Sequence, residues 1–496
     1  MKQSLLKSIV CNAQKNPDKA ALISNTVCYT YSELYESVRK AAAYLKQQGV
    51  KSGDRVIITA MSRCEYIIVF LALHLLHAVT VPVERTRKGS ELTYVVELTG
   101  ASLYITTGKR KLDDVNTISF DEIMNAEAGE LESEDYEVDE NMLSDIIMTT
   151  GTTGMPKGAM HTEKAILCNT YHTITGIGMS ESDIVLLPLP LQHSFGLRVL
   201  RASLTVGATV VLQNSAIFAD QTIHNIVEQH CTGFVCVASS MEMLLNQMGM
   251  EKAKEVFGKL RYIEFSASAA SEDLRRKMLE LIPDVEIHNT WGSSETGGCI
   301  FINVTKTPEK IKSMGKPGEG IRTALYTEDG LLLENAGEEQ VGRLALCGDM
   351  QMSGYIGQEE LTKQCIVDGW YITSDIVKMD RDGYFYMVGR MDDIINCGGE
   401  KISPVEIEEL ACECEEVLDA ACIGVEDRVS DLGQVPVLFL VAKESGADVT
   451  GKVKGYLSKK IAQYKMPAEY RILEQIPRNQ MSKINRSELE RIYNEK

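Results

Sequence analysis

The sequence lacks the cysteine pattern of a disulfide-stabilised or zinc-ribbon protein. Its 13 cysteines are an odd number, spread from Cys11 to Cys422 without a C-x-x-C pair. Neither a disulfide framework nor a zinc ribbon fits this pattern, and scattered thiols are typical of a reducing compartment. We therefore expect a protein of the cytoplasm with free cysteines.

Long hydrophobic runs are also missing. The longest, IIVFLALHLL at 67–76, has about half the ~20 residues that a membrane helix needs, and it includes His74. The N-terminus has no cationic start followed by an apolar run and a small-residue cleavage site. We expect neither export nor an integral membrane segment, and we interpret residues 67–76 as a buried helix.

Basic residues are scarce relative to acidic ones. Lys and Arg number 51, Asp and Glu number 70, and the net charge is −19. This charge repels phosphate backbones, so no nucleic acid is expected as a partner.

The 496 residues, 44% of them hydrophobic, are enough for several domains of about 100–200 residues each.

From about residue 50 to 300, short β-branched runs alternate with amphipathic stretches. The runs are RVIITA (55–60), SLYIT (102–106), DIIMTT (145–150), IVLLPL (184–189), ATVVL (208–212), GFVCV (233–237) and RYIEF (261–265). Strands that alternate with helices predict parallel sheets with helices on both faces. The predicted fold class is therefore α/β.

The pattern of the sequence changes in the last third of the chain. Short runs broken by glycine turns between 320 and 388, such as RTALYTEDGLLL, predict a small antiparallel barrel or sheet. After Arg390, Pro404 favours a helix start, and strand-like runs follow near 417–424 and 435–442. Residues 391–496 thus have the size and pattern of a small α+β domain.

The strongest local signal is TTGTTGMPKGAMH at 149–161, directly after a strand-like run. Glycine backbone amides, threonine hydroxyls and the ammonium of Lys157 can together surround a phosphate. The segment is not a Walker A loop, because Pro156 stands where that motif requires glycine. Considered alone, the glycines also fit a surface turn.

Further motifs follow this loop in a fixed order. They are PLPLQHSFGL (188–197), NTWGSSETGG (289–298), GRLALCG (342–348), GWYITSDIVKMDRDGYFYMVGR (369–390), the glycine pair at 398–399 and PRNQMSKI (477–484). In this order they resemble the adenylate-forming acyl-CoA synthetases, a family that also includes stand-alone adenylation domains and beetle luciferases. The resemblance runs from YTYSEL (29–34) to KINRSEL (483–489).

The resemblance implies an architecture and a set of nucleotide-binding residues. It implies a large N-terminal domain over 1–390, made of two doubly wound sheet subdomains and a small β-barrel-like lobe at about 320–388, and a small mobile α+β domain over 391–496. The implied ATP and AMP contacts are Thr149, Thr150, Gly151, Thr152, Thr153, Gly154, Lys157, Trp291, Gly292, Ser293, Ser294, Asp375 and Arg390.

The catalytic and metal residues follow from the same motifs. Glu295 lies between hydroxyls and glycines, where a carboxylate in an open turn can hold a hard cation, and the resemblance makes it the Mg²⁺ residue. Lys483 matches the catalytic lysine, although Ser482 replaces the usual glycine. Asp392 matches the hinge between the domains, with Asp393 as the neighbouring alternative.

The thiol and acyl sites are also implied by the resemblance. Gly398 and Gly399 match the turn that binds coenzyme A, and His193, a further catalytic candidate, flanks the acyl pocket. Ser239, Ser266 and Ala267 complete the predicted pocket. Gly196 stands where amino-acid-activating members place an aspartate, which disfavours an α-amino acid substrate.

Arg198 and Arg201 lie three residues apart, on one face of a predicted helix near this pocket. Two interpretations are open for them. They either bind a second carboxylate of a diacid or form ordinary ion pairs, and the second interpretation is favoured.

The predicted enzyme is an AMP-forming acid–thiol ligase. With ATP, Mg²⁺ and coenzyme A it would convert a small carboxylic acid, through an acyl-adenylate, into an acyl-CoA, AMP and pyrophosphate. Fatty acid metabolism is the expected context, although fatty, aromatic and dicarboxylic acids all remain open. The alternatives are loading of an acyl carrier protein and a non-catalytic nucleotide-binding role. A homo-oligomer is compatible with the sequence.

Overall fold

The structure is a computed structural model of the chain. It describes residues 3–495 except 25–26, 88, 109–111, 113–114, 128–130, 132–135, 137–138, 151–155, 268–269, 335–336, 338–339, 398–399, 427–432, 444–447 and 479–482.

Helices and strands alternate along most of the chain. The helices are α1 (Leu5–Lys15), α2 (Tyr31–Gln47), α3 (Cys64–Leu75), α4 (Gly89–Thr99), α5 (Phe120–Met124), α6 (Glu163–Ile177), α7 (Ser194–Val206), α8 (Ala219–Glu228), α9 (Ala238–Met248), α10 (Met250–Phe257), α11 (Glu272–Leu281), α12 (Glu359–Cys365), α13 (Pro404–Cys412), α14 (Val449–Leu457) and α15 (Arg486–Asn494).

The strands of the first part of the chain are β1 (Ala20–Ser24), β2 (Val27–Thr30), β3 (Arg55–Thr59), β4 (Val79–Pro82), β5 (Leu103–Thr106), β6 (Asn116–Ser119), β7 (Leu143–Thr150), β8 (Pro156–Thr162), β9 (Ile184–Leu187), β10 (Thr209–Leu212), β11 (Gly233–Cys236), β12 (Tyr262–Phe265), β13 (Glu286–Ser293) and β14 (Gly297–Asn303).

The later strands are β15 (Lys316–Pro317), β16 (Arg322–Tyr326), β17 (Leu332–Leu333), β18 (Val341–Cys347), β19 (Gly354–Tyr355), β20 (Ile366–Val367), β21 (Trp370–Met379), β22 (Phe385–Arg390), β23 (Ile395–Cys397), β24 (Glu400–Ile402), β25 (Val417–Glu426), β26 (Gln434–Ala442) and β27 (Glu469–Ile472).

The chain divides into two compact units. The first comprises Met1–Arg322 and Cys347–Tyr371, and the second comprises Thr323–Leu346 and Ile372–Lys496. These limits are not the domain limits predicted from the sequence, 1–390 and 391–496, which remain a prediction.

Two large sheets form the first unit. One has nine strands in the order β15-β14-β13-β12-β11-β9-β10-β1-β2, and the other has seven in the order β19-β8-β7-β4-β3-β5-β6. The central strands of both sheets run parallel. Antiparallel strands close both edges of the nine-stranded sheet and the β19 edge of the seven-stranded one, whereas β6 pairs parallel at its other edge. Strands such as β11 and β12 are buried along their whole length, which explains why continuous apolar runs predicted them. The α/β class is confirmed.

Local sequence also explains individual helices of the first unit. Helix α2 begins after Thr30, whose hydroxyl accepts a bond from the Glu33 amide at 3.2 Å while the Glu33 carboxylate accepts from the Thr30 amide at 2.8 Å. This reciprocal cap satisfies two amides that the helix itself leaves unpaired. Helix α3 is buried on all sides, as predicted for residues 67–76. Among the described residues, no helix is both long and apolar enough to cross a bilayer.

The second unit contains the glycine-punctuated strands and the C-terminal α+β fold. Strand β21 pairs antiparallel with β22, and β16 pairs antiparallel with β17. Further along, β25, β26 and β27 form a three-stranded sheet. Ile407 of α13, Leu438 and Leu440 of β26 and Val453 of α14 share one hydrophobic core there. The small α+β fold predicted for the end of the chain is thus present.

A buried cluster of four charged side chains joins elements of the two large sheets. Asp145 of β7 accepts a bond from Arg201 of α7, and its other oxygen lies 3.3 Å from Nε2 of His74. Nδ1 of His74 lies 3.5 Å from Glu163 at the start of α6. Helices α6 and α7 pack on the nine-stranded sheet, whereas β7 belongs to the seven-stranded one.

This cluster predicts a fall in stability at alkaline pH. Burial by itself lowers the pKa of His74, but bonds with Asp145 and Glu163 outweigh it and raise the pKa from 6.5 to about 9. Because the folded pKa exceeds the unfolded one, the stabilisation is complete below pH 6.5 and is lost as the pH rises through about 9. We expect urea midpoints to fall over this range, and to fall less in His74→Gln. Parallel curves for the two proteins would contradict the assignment.

Candidate active site

The two ends of the threonine-rich segment lie on paired strands. Strands β7 and β8 pair antiparallel, with Thr149 opposite Lys157 and Thr150 opposite Pro156. Lys157, predicted to lie in a loop, thus lies on a strand. Residues 151–155, with the predicted contacts Gly151, Thr152, Thr153 and Gly154, lie outside the described residues, as does the side chain of Thr150.

Glu295 lies in a tight turn between β13 and β14, as its glycine-rich surroundings predicted. The Glu295 amide donates to Oγ of Ser293 at 3.2 Å, and its carbonyl accepts from the Met352 amide at 2.7 Å. Nε2 of the buried His161 donates to the Ser294 carbonyl at 2.7 Å. Burial lowers the pKa of His161, so a neutral imidazole fastens this turn to β8. The turn is thus held from both sides.

Tyr355 contacts both charged residues predicted for the phosphate site, Glu295 and Lys157. Its hydroxyl donates to Oε1 of Glu295 at 2.8 Å, and Nζ of Lys157 lies 5.6 Å from the centre of its ring. The sequence analysis did not identify Tyr355 or the turn-binding His161. No local pattern marks either residue, because both act on Glu295 and Ser294 across more than 50 residues of chain.

The predicted adenine and acyl residues occupy neighbouring strand ends. Trp291 is half-buried in β13, opposite Ile300. A side chain at Gly292 would meet the Gly297 carbonyl at 2.0 Å, so this position requires glycine. Ser266, after β12, donates to the Thr290 carbonyl of β13 at 2.8 Å.

Two further predicted pocket residues lie at strand-to-helix transitions. Ala267 has a φ of +70°, a left-handed backbone conformation that residues other than glycine rarely adopt. Ser239 lies in the first turn of α9, which follows β11. Backbone strain of this kind is typical of functional sites, where the surrounding structure holds it in place.

His193 directly precedes α7, and its Nε2 lies 3.3 Å from Oε1 of Glu84. The neighbouring imidazole of His193 lowers the pKa of Glu84, which favours the ionised carboxylate. Glu84 follows β4 of the seven-stranded sheet, while α7 packs on the nine-stranded sheet. The imidazole thus has a carboxylate partner that the sequence analysis missed.

Arg198 and Arg201 are buried, and both have carboxylate partners within the protein. Arg198 donates to Glu264, which also accepts from the Thr290 hydroxyl at 2.7 Å. Arg201 donates to Asp145. The ion-pair interpretation favoured from the sequence matches these contacts.

The second unit contains the predicted ribose residues. Asp375 of β21 and Arg390 of β22 are register partners, and their side chains form an ion pair with 3.0 Å between Nε and Oδ1. The pair lies on the antiparallel ladder that ends at the predicted hinge. Two neighbouring strands thus present a carboxylate and a guanidinium together.

The predicted hinge segment is bonded to two other parts of the second unit. The Met391 amide donates to the Ser374 carbonyl at 2.7 Å, just before Asp392. The next residue, Asp393, accepts from Nε of Arg486 at 3.1 Å, and Arg486 also donates to Glu408 at 2.6 Å. Asp393, the alternative hinge residue, is thus tied to α15.

Lys483 lies in an exposed stretch just before α15. The Asn485 amide donates to the Pro477 carbonyl at 2.8 Å, and Arg478 bridges to Ile484, so both arms of this loop are paired. Residues 479–482 and the predicted coenzyme A residues Gly398 and Gly399 lie outside the described residues.

The chain matches two family models. The AMP-binding enzyme model matches residues 11–356, and the AMP-binding enzyme C-terminal domain model matches residues 406–483. A 2-succinylbenzoate--CoA ligase of Bacillus licheniformis is 29% identical and is aligned over 96% of this chain and 98% of its own. The ligase of the same name from Bacillus subtilis is 29% identical over 96% of each chain.

Solved structures agree with these matches. The o-succinylbenzoate CoA synthetase of Bacillus subtilis, in complex with its acyl-adenylate intermediate, is 26% identical with a TM-score of 0.87, over 97% of each chain. The same enzyme with ATP and magnesium is 27% identical with a TM-score of 0.87, over 97% of this chain and 99% of that one.

The comparisons bear directly on the predicted activity. They confirm an AMP-forming acid–thiol ligase that uses ATP, Mg²⁺ and coenzyme A and proceeds through an acyl-adenylate. The donor set fits these groups, since Glu295 offers a hard carboxylate oxygen and Lys157 offers a cation on strand β8. With a family model matched over residues 11–356, this chain belongs to the family of AMP-binding enzymes.

Proposed function

We propose that this protein activates 2-succinylbenzoate with ATP and transfers the acyl group to coenzyme A. The observation that carries the proposal is the end-to-end similarity to relatives named for this reaction, including both domains of the family. The context of fatty acid metabolism, expected from the sequence, is not supported by these relatives. A cytoplasmic location belongs to this proposal, since free cysteines fit a reducing compartment.

The first half-reaction joins the acid to AMP. A substrate carboxylate oxygen attacks the α-phosphorus of ATP, the bond to the bridging oxygen breaks, and pyrophosphate leaves. We propose that Lys157 and residues 149–154 bind the phosphates, and that Lys483 contacts the acyl and α-phosphate oxygens. Mg²⁺, held by Glu295, would neutralise phosphate charge. Ser293 and Ser294 provide hydroxyls beside Glu295, and Trp291 with Gly292 would line the adenine.

The second half-reaction transfers the acyl group. The thiolate of coenzyme A attacks the acyl carbon, and AMP leaves with the electron pair of the broken anhydride bond. We propose that the domain over 391–496 rotates about Asp392, which removes Lys483 and presents Gly398 and Gly399 to coenzyme A. Asp375 and Arg390 would hold the ribose through both steps.

The acid itself is an aromatic keto-diacid. We propose that His193, Ser239, Ser266 and Ala267 line its pocket, because the first three offer polar groups at the ends of strands and helices of the first unit. Arg198 and Arg201 are already paired with Glu264 and Asp145 and are not assigned to the second carboxylate. Recognition of that carboxylate would then rest on neutral donors.

Product analysis by mass spectrometry tests the proposal. The protein is incubated with ATP, Mg²⁺, coenzyme A and one acid at a time: 2-succinylbenzoate, benzoate, a medium-chain fatty acid or a short dicarboxylate. We expect 2-succinylbenzoyl-CoA and AMP from the first acid alone, and none without ATP. A thioester of another acid would overturn the substrate assignment. Transfer of the acyl group from the adenylate to a carrier protein, but not to coenzyme A, would overturn the assignment of coenzyme A as acceptor.

A further inference from the structure

We propose that Tyr355 is a positioning residue that orients Glu295 for Mg²⁺. This inference rests on the proposed metal role of Glu295 and goes beyond the residues that the sequence motifs assign. Tyr355 itself is not proposed to touch the metal ion or the substrate. It acts through the hydrogen bond from its hydroxyl to Oε1 of Glu295, which is 2.8 Å long.

The backbone fixes where this hydroxyl lies. Strand β19 pairs antiparallel with β8, so that Tyr355 lies opposite Ala159 and Gly354 opposite Met160. The Tyr355 amide donates to the Thr362 hydroxyl at 2.9 Å, and the next amide, of Ile356, donates to the Gly158 carbonyl. Tyr355 is therefore held, through β19, against the strand that carries Lys157.

The side chain is equally constrained. Tyr355 is only 6% exposed and packs in one cluster with Ala159, Met352 and Tyr371. Tyr371 is itself buried and packs beside Tyr355 in this cluster. With the ring held by this packing and the backbone held by the pairing of β19, the Tyr355 hydroxyl stays within hydrogen-bonding distance of Glu295.

The consequence for Glu295 is geometric. A hydrogen bond to Oε1 restrains rotation of the carboxylate and leaves Oε2 to bind a cation. Partners of this kind, which do not touch the metal, commonly change metal affinity by about 10- to 100-fold when they are removed. The ring has a separate contact, since Lys157 Nζ lies 5.6 Å from its centre. The hydroxyl and the ring can therefore be tested separately.

The test is Tyr355→Phe, which removes the hydroxyl and keeps the ring. Binding of Mn²⁺, a probe for Mg²⁺, is measured by electron paramagnetic resonance on protein saturated with a non-hydrolysable ATP analogue. We expect affinity to fall about 10-fold or more, with unchanged affinity for the metal-free nucleotide analogue. Tyr104→Phe is the matched control, because Tyr104 is a buried tyrosine that is hydrogen-bonded to Thr59 at 3.0 Å.

A second variant separates this inference from the proposed metal site. If Glu295→Gln leaves Mn²⁺ affinity unchanged, the role of Glu295 is wrong. If Glu295→Gln weakens Mn²⁺ binding but Tyr355→Phe does not, the positioning role of Tyr355 is overturned. In the double variant, we expect affinity no lower than in Glu295→Gln alone, because the hydroxyl acts through this carboxylate. Additive losses would also overturn the inference.

Discussion

Replacing Lys483 by alanine should lower the rate of adenylate formation about 10²- to 10³-fold, the loss typical of one charge-stabilising contact. Transfer to coenzyme A from supplied acyl-adenylate should continue at nearly the wild-type rate. The two rates differ because the proposed contact, between the ammonium and the oxygens around the α-phosphorus, serves only the first half-reaction. Pyrophosphate exchange measures the first rate, and thioester formation from synthetic adenylate measures the second.

The surroundings of Lys483 make this variant informative. Arg486, three residues on, is paired with Asp393 and Glu408, and the Asn485 amide is bonded to the Pro477 carbonyl. The lysine side chain is exposed, so its removal leaves these anchors in place. Lys452→Ala is the matched control, since Lys452 forms a surface ion pair with Glu416 in the same unit. Equal losses in both half-reactions would contradict the assignment of Lys483.

Replacing Asp145 by asparagine should destabilise the protein by about 3–5 kcal/mol, the usual cost of removing one partner from a buried ion pair. Asp145 is fully buried, accepts bonds from Arg201 and Thr80, and lies 3.3 Å from His74. Asparagine keeps the shape and removes the negative charge that faces Arg201 and His74. Urea unfolding at pH 7 measures the loss through its midpoint.

A surface pair provides the control for this prediction. Asp419 and Arg478 also form an ion pair, 2.9 Å between Nη2 and Oδ2, but both side chains are about a third exposed. Asp419→Asn should cost less than about 1 kcal/mol, because water screens and replaces the lost contact. Similar midpoint shifts in the two variants would mean that the buried cluster does not stabilise the fold as proposed.

Much of the fold follows from local patterns. The runs RVIITA, GFVCV and RYIEF each predicted a strand, and strands β3, β11 and β12 lie within them. Such runs predict strands because a parallel strand covered on both faces must be apolar along its length. The hairpin of Lys157 was only partly predicted. Its glycines and threonines indicated a loop, but pairing of β8 with β7 extends the sheet to Pro156.

The candidate active site shows the same division. Glu295 was predicted as a site residue because a carboxylate between hydroxyls and glycines is a local pattern. Tyr355 was missed because it lies 60 residues away, on a strand of two residues that only pairing with β8 positions. Likewise, the helical spacing of Arg198 and Arg201 could not show that Glu264 and Asp145, 66 and 56 residues away, already neutralise them.

By itself, the sequence determined the α/β class, the order of the motifs, the family and the chemical types of the site residues. Each of these depends on neighbours within a few positions along the chain, where periodicity, turn residues and spacing act. Only the tertiary structure decided which charges are neutralised in ion pairs and which carboxylate accepts the hydrogen bond from the Tyr355 hydroxyl. Those pairings join distant segments, and they form because burial leaves no water to satisfy an unpaired charge.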